Sequence, residues 1–176
     1  MKLIIIALIL FGVSSVAAST QSPYVGEESN EIKSMSPSEI NGLLQGNGMG
    51  FAKAAELNQY PGPRHVLDLA EQINLSSQQI EQTNRVFESM REKAINLGAQ
   101  LVEYERKLDA LFSSRQISAS ALDAILLKIG ETRAMLRGAH LHAHLEMKKI
   151  LSHHQVLMYD NLRGYSSGSG NHKHTH

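Results

Sequence analysis

Two long stretches of the chain place apolar residues at alternating three- and four-residue steps. The first covers residues 77–112 and the second covers residues 119–150. This spacing is typical of a heptad seam on an α-helix, and at 1.5 Å per residue the first helix would be about 54 Å long. The pattern predicts an all-α fold, namely a long antiparallel helical hairpin with its tip at residues 113–118.

Each predicted helix presents one apolar seam to the other. On the outgoing helix the seam is formed by Ile80, Thr83, Phe87, Met90, Ala94, Leu97, Leu101, Tyr104, Leu108 and Leu111. On the return helix it is formed by Leu122, Leu126, Ile129, Arg133, Leu136, His140, Ala143, Met147 and Ile150. A second apolar stripe on the return helix is formed by Leu127, Ala134, Leu141 and Leu145. Since one partner helix cannot cover two faces, the pattern predicts that the hairpin dimerises.

Short helices are expected on either side of the hairpin. Ser36 and Glu39 have capping-box spacing, with Pro37 at the first helical position, which predicts a helix that ends near Gly46. Further helices are predicted up to about residue 58, over 64–73 and over 152–162, with a rigid turn at 60–63. The helical domain is therefore expected to span residues 36–165. Residues 19–35 are polar and lack apolar periodicity, so they are expected to form a disordered linker.

The first 18 residues have the three regions of a secretory signal peptide. Met1 and Lys2 precede the apolar run 3–13, and small residues follow it, so cleavage after Ala18 is expected. The run is shorter than the roughly 20 apolar residues that cross a bilayer, although an uncleaved anchor is the alternative. The sequence contains no Cys, which excludes a lipid-anchored Cys, disulfides and thiolate metal ligands. These features predict an exported protein with no membrane anchor after signal cleavage.

Composition argues against nucleic acid as a partner. The chain has 17 basic and 17 acidic residues, a formal charge of zero, whereas a nucleic-acid surface needs a basic excess. Trp is absent and aromatic residues make up 5% of the sequence, so a stacking platform for single strands is not expected either.

A short motif, Leu-Ser-x-x-Gln, opens two of the predicted helices. It occurs at residues 75–79 and again at residues 151–155, and its Ser and Gln are spaced as in a capping box. With two long amphipathic helices between the copies, the chain resembles the Spy/CpxP and heavy-metal-resistance family of periplasmic proteins. The hallmark of that family is a repeated Leu-Thr-x-x-Gln, and here Ser replaces Thr in both copies. The resemblance implies a periplasmic, dimeric helical hairpin.

Histidine is the residue type best suited to metal chemistry in this chain. His140 and His144 are i,i+4 neighbours on one face of the return helix, and Met147 continues that face. Neutral imidazoles at this spacing bind a divalent ion, and a thioether favours copper or another late transition metal. The alternative interpretation is a seam histidine beside a surface histidine.

The resemblance to the nickel/cobalt sensor CnrX adds further candidate ligands. In that sensor the ligands come from a His pair on the first helix, a Glu on the next helix, and a His with a Met on the return helix. The positions implied here are His65, Glu81 or Glu88, and His140 with His144. Leu69 stands where the second His of the first pair would be, and His144 takes the position of the Met. The resemblance therefore implies a variant of that site.

A second candidate metal-binding segment lies at residues 166–176, which are expected to form a flexible tail. His172, His174 and His176 follow a Gly/Ser-rich stretch, similar to the His-rich tails of ZraP-like relatives. Alternating His suits the capture of Zn²⁺, Cu²⁺ or Ni²⁺. An expression tag is the alternative, although tags are usually runs of consecutive His.

The sequence does not predict an enzyme or an organic cofactor. A zincin needs His-Glu-x-x-His, whereas Leu141 follows His140, and neither a phosphate loop nor a catalytic triad is recognisable. Two functions remain open. One is a periplasmic metal-binding protein of the heavy-metal resistance or sensing type, which buffers Zn, Cu, Ni or Co or reports it to a membrane-bound regulator. The other is an ATP-independent Spy/CpxP-like chaperone for unfolded clients, or an envelope-stress regulator.

Overall fold

Six α-helices make up most of residues 20–165, the part of the chain that the computed structural model describes. They are α1 (Pro37–Leu44), α2 (Lys53–Glu56), α3 (Pro63–Asp68), α4 (Ser77–Ser113), α5 (Ala119–Ile150) and α6 (His153–Leu162). A short 3-10 helix, Glu27–Ser29, precedes α1. No strand occurs between residues 20 and 165, so the prediction of an all-α fold is confirmed. None of these helices is long and apolar enough to cross a membrane.

The predicted signal peptide, residues 1–18, and the predicted tail, residues 166–176, lie outside the described residues. The other predicted elements are found close to their expected positions. The third short helix is the exception, because α3 ends at Asp68 rather than near residue 73.

Packing of α4 against α5 forms the larger hydrophobic core. Its buried residues are Ile32, Leu43, Ala94, Leu101, Val102, Ile125, Ile129 and Leu136. The start of α4 lies beside the end of α5, because the Gln79 side chain donates to the Ile150 carbonyl at 2.9 Å. A second core joins α3, α5 and α6, and it consists of Val66, Ile73, Met147, Leu151, Val156 and Tyr159.

The seam of the return helix differs from the predicted one at two positions. Leu126 and Arg133 are exposed, whereas Ile125 and Thr132 are buried. Ile125, Leu126 and Leu127 are all apolar, so periodicity alone left the register open by one residue. Both registers keep three- and four-residue steps through Ile129, so only the packing of the folded chain distinguishes them.

The segment before α1 is part of the core, so the prediction that order begins at Ser36 is wrong. Ile32 is fully buried. Ion pairs on both sides hold it in place, one from Lys33 to Asp109 at 3.4 Å and one from Arg106 to Glu31 at 2.9 Å. The few apolar residues of this segment, Tyr24, Val25, Ile32 and Met35, do not form a sustained repeat at helical or strand spacing, which is why the sequence did not reveal this contact.

The two Leu-Ser-x-x-Gln motifs each form a capping box, and the two boxes touch. Ser76 accepts from the backbone N–H of Gln79, and Ser152 accepts from that of Gln155, each at 3.2 Å. In addition, Gln79 Nε2 donates to Gln155 Oε1 at 2.9 Å, and Gln155 Nε2 donates back to Gln79 Oε1 at 3.0 Å. The motif therefore joins the first turn of α4 to the first turn of α6 as well as capping each helix.

We expect Gln79 and Gln155 to be energetically coupled. Their amides are partly buried and bonded to each other, so removing either one takes two hydrogen bonds from the other. In urea unfolding, a double-mutant cycle of Gln79→Ala and Gln155→Ala should give a coupling free energy of about 0.5 kcal/mol or more. The exposed neighbours Gln78→Ala and His154→Ala form the control cycle and should be additive. Additive free energies for the Gln79 and Gln155 pair would contradict the contact.

Candidate functional site

Three of the predicted histidines line one cavity of about 610 Å³. His140 and His144 project from successive turns of α5 and are buried, with 3% and 7% of their surface exposed. His65 enters the same cavity from α3 and is about half exposed, with Nδ1 3.5 Å from an Asp68 carboxylate oxygen. The cavity therefore has two buried imidazoles on its wall and one imidazole nearer solvent.

The turn before α3 fixes the ring of His144. Its Nδ1 lies 2.6 Å from the carbonyl oxygen of Tyr60. A carbonyl oxygen only accepts, so in the neutral ring Nδ1 carries the proton and Nε2 keeps its lone pair. A Cβ on Gly62 would lie 2.9 Å from Cε1 and 3.1 Å from Nε2 of His144. Glycine at this position thus allows the turn to approach the ring closely.

Glu56 supports His144 from the side of the protonated nitrogen. Its Oε2 lies 3.8 Å from His144 Nδ1. Its Oε1 accepts from the hydroxyls of Tyr159 at 2.5 Å and Tyr165 at 3.1 Å, and lies 3.4 Å from Nε of Arg163. Burial, aided by the bond to Glu56, raises the pKa of the Tyr159 phenol, so this hydroxyl remains a donor. Metal-ligating histidines commonly have such a carboxylate or carbonyl behind the ring.

His140 is held by packing. Its ring stacks on Phe51, with the ring centroids 5.7 Å apart and the planes inclined by 16°. Among the described residues, its buried Nε2 has no hydrogen-bond partner. Such an atom costs roughly 1–3 kcal/mol unless a water or an ion satisfies it. Burial, with a smaller contribution from His144, lowers the pKa of His140, which keeps this ring in the neutral form that binds metals.

The other predicted ligands lie away from this cavity. Glu81 is exposed and paired with Arg85 on the surface of α4, and Glu88 is exposed on the same helix. Met147 is fully buried in the second core and does not line the cavity. His172, His174 and His176 lie outside the described residues.

Sequence reasoning missed the residues that orient His144. Glu56 lies in a four-residue helix with no motif around it, and Arg163 is more than 100 positions further along the chain. The one available signal was the sequence Tyr60-Pro61-Gly62-Pro63, whose prolines predicted a rigid turn without indicating what the turn contacts. Met49 and Met90 also line the cavity, so thioethers are present there despite the position of Met147.

The arrangement fits part of a metal site. Imidazole nitrogens that keep a lone pair are ligands that Zn, Cu, Ni and Co favour, and two buried imidazoles meet at this cavity. Across residues 20–165, however, no group of three or more His, Cys, Asp or Glu side chains is close enough to hold an ion. The pair would therefore leave half of a four-coordinate shell to other ligands.

The chain was compared with protein-family models, with curated proteins and with solved structures, and none of them matched it.

We expect the metal-free protein to lose stability as the pH falls below about 6.5, in part through His140. Its pKa in the folded state is lower than 6.5, the ordinary value, so the unfolded chain binds the proton more readily and acid favours unfolding. In urea unfolding at about pH 7.5 and pH 5.5, His140→Gln should show a smaller loss of free energy than the unmodified protein. His142→Gln, at an exposed position two residues away, should keep the full loss. If His140→Gln and the unmodified protein lose the same free energy of unfolding between the two pH values, His140 does not contribute to the loss of stability in acid.

Proposed function

We propose that this protein is a periplasmic metal-binding protein of the heavy-metal resistance or sensing type. It holds a divalent Zn, Cu, Ni or Co ion through Nε2 of His140 and His144. The signal-peptide pattern of residues 1–18 supports export, and the paired Leu-Ser-x-x-Gln motifs support the family. The protein acts by binding and carries out no catalysis.

One observation carries the proposal. The Tyr60 carbonyl holds Nδ1 of His144, and this leaves Nε2 as the available lone pair on a ring that Glu56 supports from behind. One turn earlier, the buried Nε2 of His140 has no partner among the described residues. Both nitrogens belong to rings that line one cavity. A pair of surface histidines would have neither the burial nor the oriented ring.

The proposal predicts one metal ion bound per chain at the histidine pair. Calorimetric titration of protein lacking residues 166–176 with Zn²⁺, Cu²⁺, Ni²⁺ and Co²⁺ should give one-to-one binding to at least one of these ions. His140→Ala/His144→Ala should abolish it, because both lone pairs are removed. His153→Ala/His154→Ala, an exposed pair on α6, is the matched control and should bind normally. Glu56→Gln should weaken binding less than the loss of a hydrogen-bonded partner would, because Glu56 Oε2 lies 3.8 Å from His144 Nδ1 and the Tyr60 carbonyl accepts the hydrogen bond of that nitrogen.

The titration also separates this site from the tail. If only the full-length chain binds metal, the ligands are His172, His174 and His176, and the site on α5 is excluded. If the shortened chain binds metal and the His140/His144 variant does not, the proposal stands. Because metal binding requires neutral imidazole, affinity should also fall in acid, and since burial lowers the pKa of His140 this ring is lost as a ligand at a lower pH than an ordinary histidine would be.

A chaperone of the Spy/CpxP type is the second candidate function, and an apolar groove between α4 and α5 favours it. The groove has a volume of about 940 Å³ and is lined by Val86, Met90, Leu97, Met135, Ala143 and Ile150, among others. Flexible methionines suit varied apolar partners. Suppression of client aggregation by the His140→Ala/His144→Ala variant, with no metal binding by the unmodified protein, would favour the chaperone.

We further propose that α4 and α5 form the arms of an antiparallel hairpin that dimerises, as the family resemblance implies. The support is the second apolar stripe on α5, where Leu127 is 62% exposed and Leu145 is 47% exposed. These two leucines are 18 residues apart, five full turns, so they lie on the same face.

Sedimentation at micromolar concentration should therefore give a dimer. Leu127→Glu/Leu145→Glu should give a folded monomer, because charge on the stripe opposes its burial. Leu162→Glu is the control, since Leu162 is 51% exposed on α6 away from this stripe, and it should stay dimeric. A folded monomer of the unmodified protein would contradict dimerisation.

A further inference from the structure

The cavity above His140 and His144 is larger than a metal ion needs. Its volume is about 610 Å³, and a water molecule takes up roughly 30 Å³ in the liquid. Pockets of this size hold small organic or polyatomic ligands. The loop between α1 and α2 lines the cavity with Met49 and neighbouring glycines. The cavity therefore has room for a ligand of several heavy atoms beside an ion.

The charges around the cavity are mostly positive. Lys53, Arg64, Arg91 and Arg163 line it, and Glu56 is the only acidic residue among its lining residues within the described part of the chain. That carboxylate is already engaged by Arg163 and by the hydroxyls of Tyr159 and Tyr165. The side chains around the opening thus repel a bare divalent cation and attract an anion.

Two of these cations have no partner of their own. Arg163 pairs with Glu56, and Arg64 pairs with Asp68 at 3.3 Å. Within residues 20–165, no hydrogen bond or ion pair engages the side chain of Lys53 or Arg91. These two side chains come from different elements, α2 and α4, and they line the same cavity. They are free to bind a ligand that enters it.

We infer that the cavity takes its metal together with a small oxyanion, a carboxylate or a phosphate. The oxyanion completes the coordination that His140 and His144 leave open, and Lys53 and Arg91 bind its outer oxygens. This inference rests on the proposed function, because it requires the histidine pair to hold the ion. It explains why the site offers two imidazoles and free cations instead of a carboxylate-rich ligand set. Charge-assisted bonds from Lys and Arg to such oxygens are among the stronger polar contacts in proteins.

The test measures ternary binding by calorimetry on the full-length protein. Malonate serves as the carboxylate probe and inorganic phosphate as the other, each titrated into metal-free and metal-loaded protein. At least one probe should bind the metal-loaded protein at least tenfold more tightly than the metal-free protein. By linkage, the same probe should raise the affinity for the metal by the same factor.

Two double variants test whether Lys53 and Arg91 are the residues that bind the oxyanion. In Lys53→Ala/Arg91→Ala, binding of the probe to loaded protein should weaken about tenfold. The bare metal should bind about threefold more tightly, because two repelling charges are gone. Lys93→Ala/Lys128→Ala removes two cations that do not line this cavity and should change neither quantity. Opposite shifts in the two affinities cannot arise from simple loss of folding, which would weaken both.

The outcomes separate this inference from the proposed function. If no metal binds with or without a probe, the proposed function fails and the inference fails with it. If the metal binds to the histidine pair but neither probe binds the loaded protein more tightly, only the inference is overturned. It is also overturned if Lys53→Ala/Arg91→Ala binds the probe as the unmodified protein does.

Discussion

The packing of α4 along α5 is the contact on which the rest of this structure depends. It buries most of the larger core, and it fixes which face of α5 points toward the short N-terminal helices. The short helix α1 packs closely on α4 at a glycine of that helix, since a Cβ on Gly98 would lie 2.2 Å from the Leu43 carbonyl oxygen. The register of α5 therefore determines that His140 and His144 are covered by the segment between α1 and α3.

Burial within the fold sets the ring orientation of His144 and lowers the pKa of His140. His144 is oriented by a backbone carbonyl and supported by Glu56, and His140 is desolvated against Phe51, which lowers its pKa. A solvent-exposed pair at the same spacing would bond to water and rotate freely. The free energy cost of desolvating the rings is offset by the packing of the surrounding helices, so the site depends on that packing.

The Leu-Ser-x-x-Gln motif illustrates how a local signal acquires a tertiary role. Each copy caps its own helix, as the spacing predicts, and the two Gln side chains also bond to each other. This contact holds the start of α4 against the start of α6, the helix that brings Tyr159 to Glu56. The motif is thus connected to the candidate site through α6, although no residue of the motif lines the cavity.

The sequence alone determined the helices, because periodicity, capping residues and prolines act over a few neighbouring positions. It placed α4 and α5 within a residue or two of their observed ends, and it singled out His140 and His144. Only the tertiary structure decided the register of α5, where Ile125 is buried and Leu126 is exposed. The burial of Ile32 and the position of Glu56 behind His144 were likewise decided there. These features depend on contacts between residues far apart in the chain, and no local pattern encodes such contacts.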